Sequence, residues 1–215
     1  MIPQNQRSPE WRKWRQTKIG ASDASSIMGV NAFKSIGGLL DEKLGLRPPE
    51  EENAAMARGN ALEDEARDTF EALTGHTVFA QVCPHPFHPW MIASLDGLSI
   101  EKDVAVEIKC PGISQAEKTY RKKEIPVHYI PQLQHQLAVT GLKEIYYFSY
   151  FPSIDGGADW SILLKLERDD KYIEQLIARE EKFHTILMKS IEAIYEHNER
   201  LYNLKTEAYK LLEEI

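Results

Sequence analysis

Asp96, Glu107 and Lys109 have the residue types and the spacing to place two carboxylates and an ammonium around one point. Asp96 stands in Ser94-Leu95-Asp96-Gly97, and the other two stand in Val106-Glu107-Ile108-Lys109-Cys110-Pro111. Side chains alternate between the faces of a strand, so Glu107 and Lys109 share one face while Ile108 points into the core. Asp96-Gly97 reads as a hairpin-type turn that brings Asp96 back beside that face. Paired carboxylates form a hard oxygen site suited to Mg2+. Such an ion polarises a phosphate oxygen and helps make hydroxide from bound water, and a second ion steadies the leaving oxygen. Lysine orients the attacking water and offsets charge developing on the phosphoryl group. The main-chain carbonyl of Ile108 is placed to complete the metal's coordination. The chemistry this set suits is phosphodiester hydrolysis.

The same residues have a plainer reading, since Asp-Gly is a common turn and Glu-x-Lys a common exposed ion pair. The flanking pattern favours the chemical one. Val104, Val106 and Ile108 alternate with Ala105, Glu107 and Lys109, giving one apolar and one active face. Cys110-Pro111 ends the strand abruptly, ahead of the basic run from Lys118 to Lys123.

The elements that must hold this set follow from periodicity. Short β segments are expected at Thr77–Cys83, Trp90–Leu95, Val104–Cys110, Glu144–Tyr150 and Ser161–Leu166. A helix from Ile130 to Thr140, closed by Gly141, separates the third from the fourth. The N-terminal third reads helical. Ser8 caps a first helix with Pro9 at its first position, a second starts at Ser22 or Asp23, and a third covers Ile36 to Leu44. After the loop Arg47-Pro48-Pro49, a longer helix spans Asn53 to Leu73 with a stripe of Met56, Leu62, Ala66, Phe70 and Leu73. Beyond Asp169, apolar residues recur every three or four positions, from Ile173 to Leu211. That predicts one long helix or two in series, packed on its own domain or on a neighbouring subunit. The fold class is α/β: a central mixed β-sheet flanked by helices with a long C-terminal helical segment. Residues 1–215 read as a single domain, with a core of about 8–166 and an extension of about 169–215.

Composition sets limits. Two cysteines, Cys83 and Cys110, exclude a disulfide scaffold and a four-cysteine zinc or iron–sulfur site. No apolar run approaches the roughly 20 residues of a membrane span. The opening MIPQNQRSPEWRKWRQ has no apolar stretch of a secretory signal, so a cytoplasmic location is expected. The net charge of −7 argues against a surface that grips nucleic acid everywhere, but Arg7, Arg12, Lys13, Arg15 and Lys18 cluster near the start and a second basic run follows the catalytic strand. The seven histidines show no HxH or HExxH spacing. His85, His88, His128 and His135 read as loop or surface residues, and Trp11 and Trp14 as packing residues.

Five blocks in order resemble the phage lambda-type exonucleases, the YqaJ-like recombination nucleases of the PD-(D/E)xK superfamily. They are Trp11-Arg12-Lys13-Trp14-Arg15 with Gly20-Ala21-Ser22; Arg58-Gly59 with Glu63 and Ala66-Arg67; Ser94-x-Asp96-Gly97; Glu107-Ile108-Lys109-Cys110-Pro111; and Tyr129-Ile130-Pro131-Gln132. The match covers about residues 8 to 150. The proline that usually precedes the aspartate is Leu95 here. The resemblance implies a restriction-endonuclease-like fold and a Mg2+-dependent enzyme with one or two ions, Mn2+ substituting. Asp96, Glu107 and the Ile108 carbonyl would hold metal, Lys109 would position water, Glu63 would support the site from its helix, and Gln132 would brace substrate or lysine. Arg15, Ser22 and Ser94 would form a pocket for a 5′-phosphate, because a guanidinium fork plus hydroxyls suits phosphate. The implied activity is processive 5′→3′ digestion of one strand of linear double-stranded DNA to 5′-mononucleotides, leaving a 3′ overhang. The implied partners are two further copies in a trimeric ring and a single-strand annealing protein. Each residue also has an ordinary alternative: Arg15 as a surface arginine, Ser22 as a helix cap, Glu63 paired with Arg67, and Gln132 and Gln134 as surface amides. A nuclease of other polarity, an endonuclease and an inactive DNA-binding or assembly module are the competing readings.

Overall fold

The computed structural model describes residues 9–47, 54–153, 157 and 159–213. The expected cap Ser8, Arg7, the loop prolines Pro48 and Pro49, and the side chains of Arg12, Met56, Leu201, Leu204 and Leu211 lie outside what is described. The strands are β1 (Ile19–Gly20), β2 (Val78–Pro84), β3 (Met91–Ser99), β4 (Ala105–Lys109), β5 (Glu144–Ser149) and β6 (Ile162–Glu167). The helices are α1 (Pro9–Gln16), α2 (Ala24–Ile27), α3 (Ile36–Lys43), α4 (Ala54–Thr74), α5 (Ile113–Lys122), α6 (Ile130–Thr140) and α7 (Asp170–Glu213). The sheet order is β1-β3-β4-β5-β6, with β2 also on β3. β1–β3 and β4–β5 run parallel and the other pairs antiparallel, so the sheet is mixed as expected.

Two apolar layers sandwich it. Alternation along β4 sends Ala105 into the core with Leu133 and Leu137 of α6, and Val106 and Ile108 into the opposite core with Ala66 and Phe70 of α4. A third cluster ties α2 and α3 to α7 through Ile27, Leu39, Phe183 and Leu187. The C-terminal periodicity resolves into one helix. Among the described residues, no helix is long and apolar enough to cross a membrane.

Two elements were not foreseen. β1 is only two residues long, and α5 is a basic helix with few apolar positions to announce it. The Asp96-Gly97 turn is also corrected: both residues lie inside β3, and the chain reverses after Ser99, with Lys102 at φ 58°. The Asp-Gly pair marks a bulge. Phe79 pairs with Leu98 but Gln81 pairs with Leu95, so β3 carries one extra residue there, and Leu95 and Leu98 both reach the α6 core. Gly97 is required by crowding, because a Cβ there would lie 2.6 Å from Val78 Cγ2 and 2.7 Å from Val106 Cγ1.

Candidate functional site

β1 and β4 border the same edge of β3, but at different heights. β1 pairs with Met91 and Ile92, and β4 with Gly97 and Leu98. Among the described residues, no strand pairs with the stretch of that edge between them, where Ser94 and Asp96 lie. The bulge re-aims Asp96 so that its Oδ2 accepts the Ile108 N–H at 2.8 Å, replacing a ladder bond with a side chain. Glu107 is 2% exposed and faces the same gap. Its Oε1 accepts from Lys109 Nζ and Gln132 Nε2, each at 2.5 Å, and its Oε2 accepts from Gln136 Nε2 at 2.5 Å. Gln132 and Gln136 are four apart on α6, so both amides fall on one helix face.

Arg15, at the end of α1, donates from Nη2 to Ser22 Oγ at 2.6 Å. The guanidinium fits because residue 20 is glycine: a Cβ there would stand 2.9 Å from Arg15 Nη2. The turn carrying Ser22 is fixed by buried Asp23, whose Oδ2 accepts the Gly20 N–H at 2.9 Å and pairs with Lys43 Nζ at 2.8 Å. A cleft of about 190 Å3 is bordered by Arg15, Ser22, Ser94, Asp96, Glu107, Lys109 and Gln132, together with Trp11 and Gly20.

Glu63 does not border this cleft. Its Oε1 accepts from Arg67 Nη2 at 2.9 Å, and Arg67 Nε donates to the Asp96 main-chain oxygen at 2.8 Å. Glu63 therefore bears on Asp96 through Arg67 and through its charge. The Ile108 side chain packs in the α4 core as expected. His135 is corrected from surface to interior. It is 0% exposed, with Nδ1 2.8 Å from Glu180 Oε1 and Nε2 2.9 Å from the Ile92 oxygen. Gln134 is interior too, donating to the Glu167 oxygen and accepting the Asp169 N–H. α6 is buried on almost every side, so its polar residues are paired inside the molecule. Gln136, 0% exposed, was missed. Its signal was the spacing from Gln132, which repeats one helical turn on.

The electrostatics follow from crowding. Burial first, then the neighbouring Glu107, push the Asp96 carboxyl up to about 8, against the pull of Lys109. Burial works against the Lys109 ammonium, yet Glu107 and Asp96 outweigh it and hold the amine above its ordinary range. Among the described residues, no three His, Cys, Asp or Glu side chains are grouped to hold an ion by themselves. A buried Glu107 that raises the proton affinity of the half-buried Asp96 beside it, with hard oxygens toward a cleft, fits a small divalent cation.

Residues 10–143 match the model of the YqaJ-like viral recombinase domain. The chain belongs to that family. It is 32% identical over 177 residues to the uncharacterized protein YqaJ of Bacillus subtilis, covering 81% of this chain and 54% of that protein. It is 28% identical over 159 residues to protein D345L of African swine fever virus, covering 63% of this chain and 46% of the viral protein. The chain thus spans about half the length of the curated relatives it matches. Its fold is that of the alkaline exonuclease LHK-Exo of Laribacter hongkongensis, at a TM-score of 0.77 and 29% identity over 90% of this chain and 100% of that one. A phage-related exonuclease from Haemophilus somnus shares the fold at a TM-score of 0.61 and 14% identity, covering 81% of this chain and 96% of that one. The YqaJ-like family and the PD-(D/E)xK fold, both expected from the five sequence blocks, agree with these findings.

Proposed function

We propose that the chain is a divalent-metal-dependent exonuclease that digests one strand of linear double-stranded DNA in the 5′→3′ direction. One observation carries this reading. Arg15, Ser22 and Ser94, which suit a terminal phosphate, border the same cleft as Asp96, Glu107 and Lys109, which suit hydrolysis. Mg2+ held by Asp96 and Glu107, with Mn2+ as substitute, would supply Lewis acidity toward the scissile phosphate. Gln132 and Gln136 hold the Glu107 carboxylate in one orientation. Lys109 stays an ammonium between two carboxylates, so it acts as a hydrogen-bond donor and counter-charge rather than as a base. Glu63, through Arg67, fixes the main chain at Asp96. Arg15 and Ser22 receive the 5′-phosphate, and each cut creates a new one for the same pocket, which favours stepwise advance. A solved form of LHK-Exo holds dAMP, a mononucleotide of the kind such a reaction releases.

We further read residues 1–215 as one catalytic unit. It works in the cytoplasm as a trimeric ring around the duplex, feeding a 3′ overhang to an annealing protein. A ring keeps a chain of net charge −7 on DNA without a basic surface all round. Incubation of 5′-phosphorylated linear duplex with Mg2+ tests the activity. The 5′-ended strand should shorten with release of mononucleotides, Lys109→Ala should abolish release while duplex binding persists, and covalently closed circles should survive. Shortening from the 3′ end, or nicking of circles, sinks the proposal. Sedimentation of a monomer at working concentration would remove the ring.

A further inference from the structure

We propose that a hollow beside α5 holds a backbone phosphate of the duplex where it runs beyond the catalytic cleft. This rests on the nuclease reading and names the next contact along its substrate. On α5, Gln115, Lys118, Thr119 and Lys122 recur at helical spacing and share one face. That face borders a hollow of about 320 Å3, whose other side includes Glu124 and His128. Lys118 and Lys122 are exposed and form no ion pair among the described residues. Arg121, pointing elsewhere on the helix, is engaged with Glu117 at 2.8 Å and lies over the Trp160 ring at 5.3 Å.

The hollow is joined to the catalytic face by two rings. Lys109 Nζ is 5.2 Å from the Tyr129 ring centre, and the Tyr129 and His128 rings are 4.1 Å apart. Burial, then Lys109 and Lys118, hold the His128 imidazole below its usual range, as expected of a ring between two amines. Glu124 is exposed and single, so it leaves the lining net positive. On a chain of net charge −7, two unpaired lysines beside a hollow next to the cleft are a local departure from the whole. Thr119 is buried and donates its hydroxyl to the Gln115 main-chain oxygen at 2.9 Å, so the two lysine ammoniums are the groups offered to phosphate oxygens; they read no base, which suits an enzyme that must advance over any sequence.

The test uses the full chain and compares Lys118→Gln/Lys122→Gln with Lys182→Gln/Lys189→Gln, a pair of exposed α7 lysines that changes net charge equally. Affinity for 5′-phosphorylated duplexes is measured at several salt concentrations without divalent ion. The hollow variant should bind about tenfold more weakly or worse, with the slope of log affinity against log salt reduced by about 2. Its affinity for free dAMP, small enough for the cleft alone, should not change. The α7 pair should behave as wild type, and Lys118→Arg/Lys122→Arg should restore binding. Equal losses in both glutamine pairs, or none in the hollow pair, overturn the proposal. If the wild-type chain neither binds nor shortens duplex, the nuclease reading fails before this one is reached.

Discussion

Among the described residues, Glu107 has three side-chain donors while Asp96 has one main-chain donor, and this asymmetry separates their behaviour. Gln136→Leu removes the only donor to Glu107 Oε2 among the described residues. A hydrogen bond to a charged group contributes about 1.5–3 kcal/mol, so a roughly 10- to 100-fold loss of Mg2+-dependent rate is expected in initial-rate assays, with Gln136→Asn less damaging than Leu. Asp96 makes a prediction about pH. Its carboxyl is raised from the ordinary 3.8 to about 8, so the ion-free protein keeps this proton at neutral pH. Raised values stabilise the fold below the unfolded value, and that contribution is lost as pH climbs through about 8. Thermal melts without divalent ion should therefore show this stability falling as pH rises from about 4 to about 8 and levelling off above, and Mg2+ should reverse the fall. A melt flat across that range would show that Asp96 is not burdened in this way. Gly20→Ala should push the Arg15 guanidinium aside and reduce the preference for 5′-phosphorylated over 5′-hydroxyl ends, read as a ratio of rates on the two substrates.

α6 is where reading from sequence ran short, and the reason is physical. Gln134, His135 and Gln136 resemble a hydrated helix face, and only the tertiary partners Glu167, Glu180 and Glu107 reveal them as interior. The strands were legible because apolar alternation reports a two-faced sheet directly, and Gly141 marked the end of α6 with its φ of 75°. The Asp-Gly pair was legible as a break in regular pairing, but its chemistry alone does not separate a turn from a bulge; that depends on Val78 and Val106 closing on Gly97. The His135–Glu180 pair joins α6 to α7 at 0% exposure of both side chains. Glu180→Ala should cost about 3–5 kcal/mol, measured as a shift in the urea midpoint, because it strands a buried partner. A shift under 1 kcal/mol would mean the pair contributes little to the union of those helices.

α7 departs from the body partway along. Ile173, Leu176, Phe183 and Leu187 are buried, whereas every side chain from Glu192 to Arg200 is exposed. Replacing Ile194 and Tyr195, 37% and 70% exposed, with glutamate should leave the unfolding free energy of the chain unchanged within about 0.5 kcal/mol by urea titration. The sheet, by contrast, is knitted through the candidate site itself. Because Asp96 Oδ2 stands where a strand would have offered a carbonyl, the carboxylate that would meet a cation is also a stitch between β3 and β4. The Ile108 amide is consequently a native gauge of occupancy. Its exchange with deuterated solvent should change when an ion draws on that oxygen, so cation loading can be followed without nucleic acid and without a label.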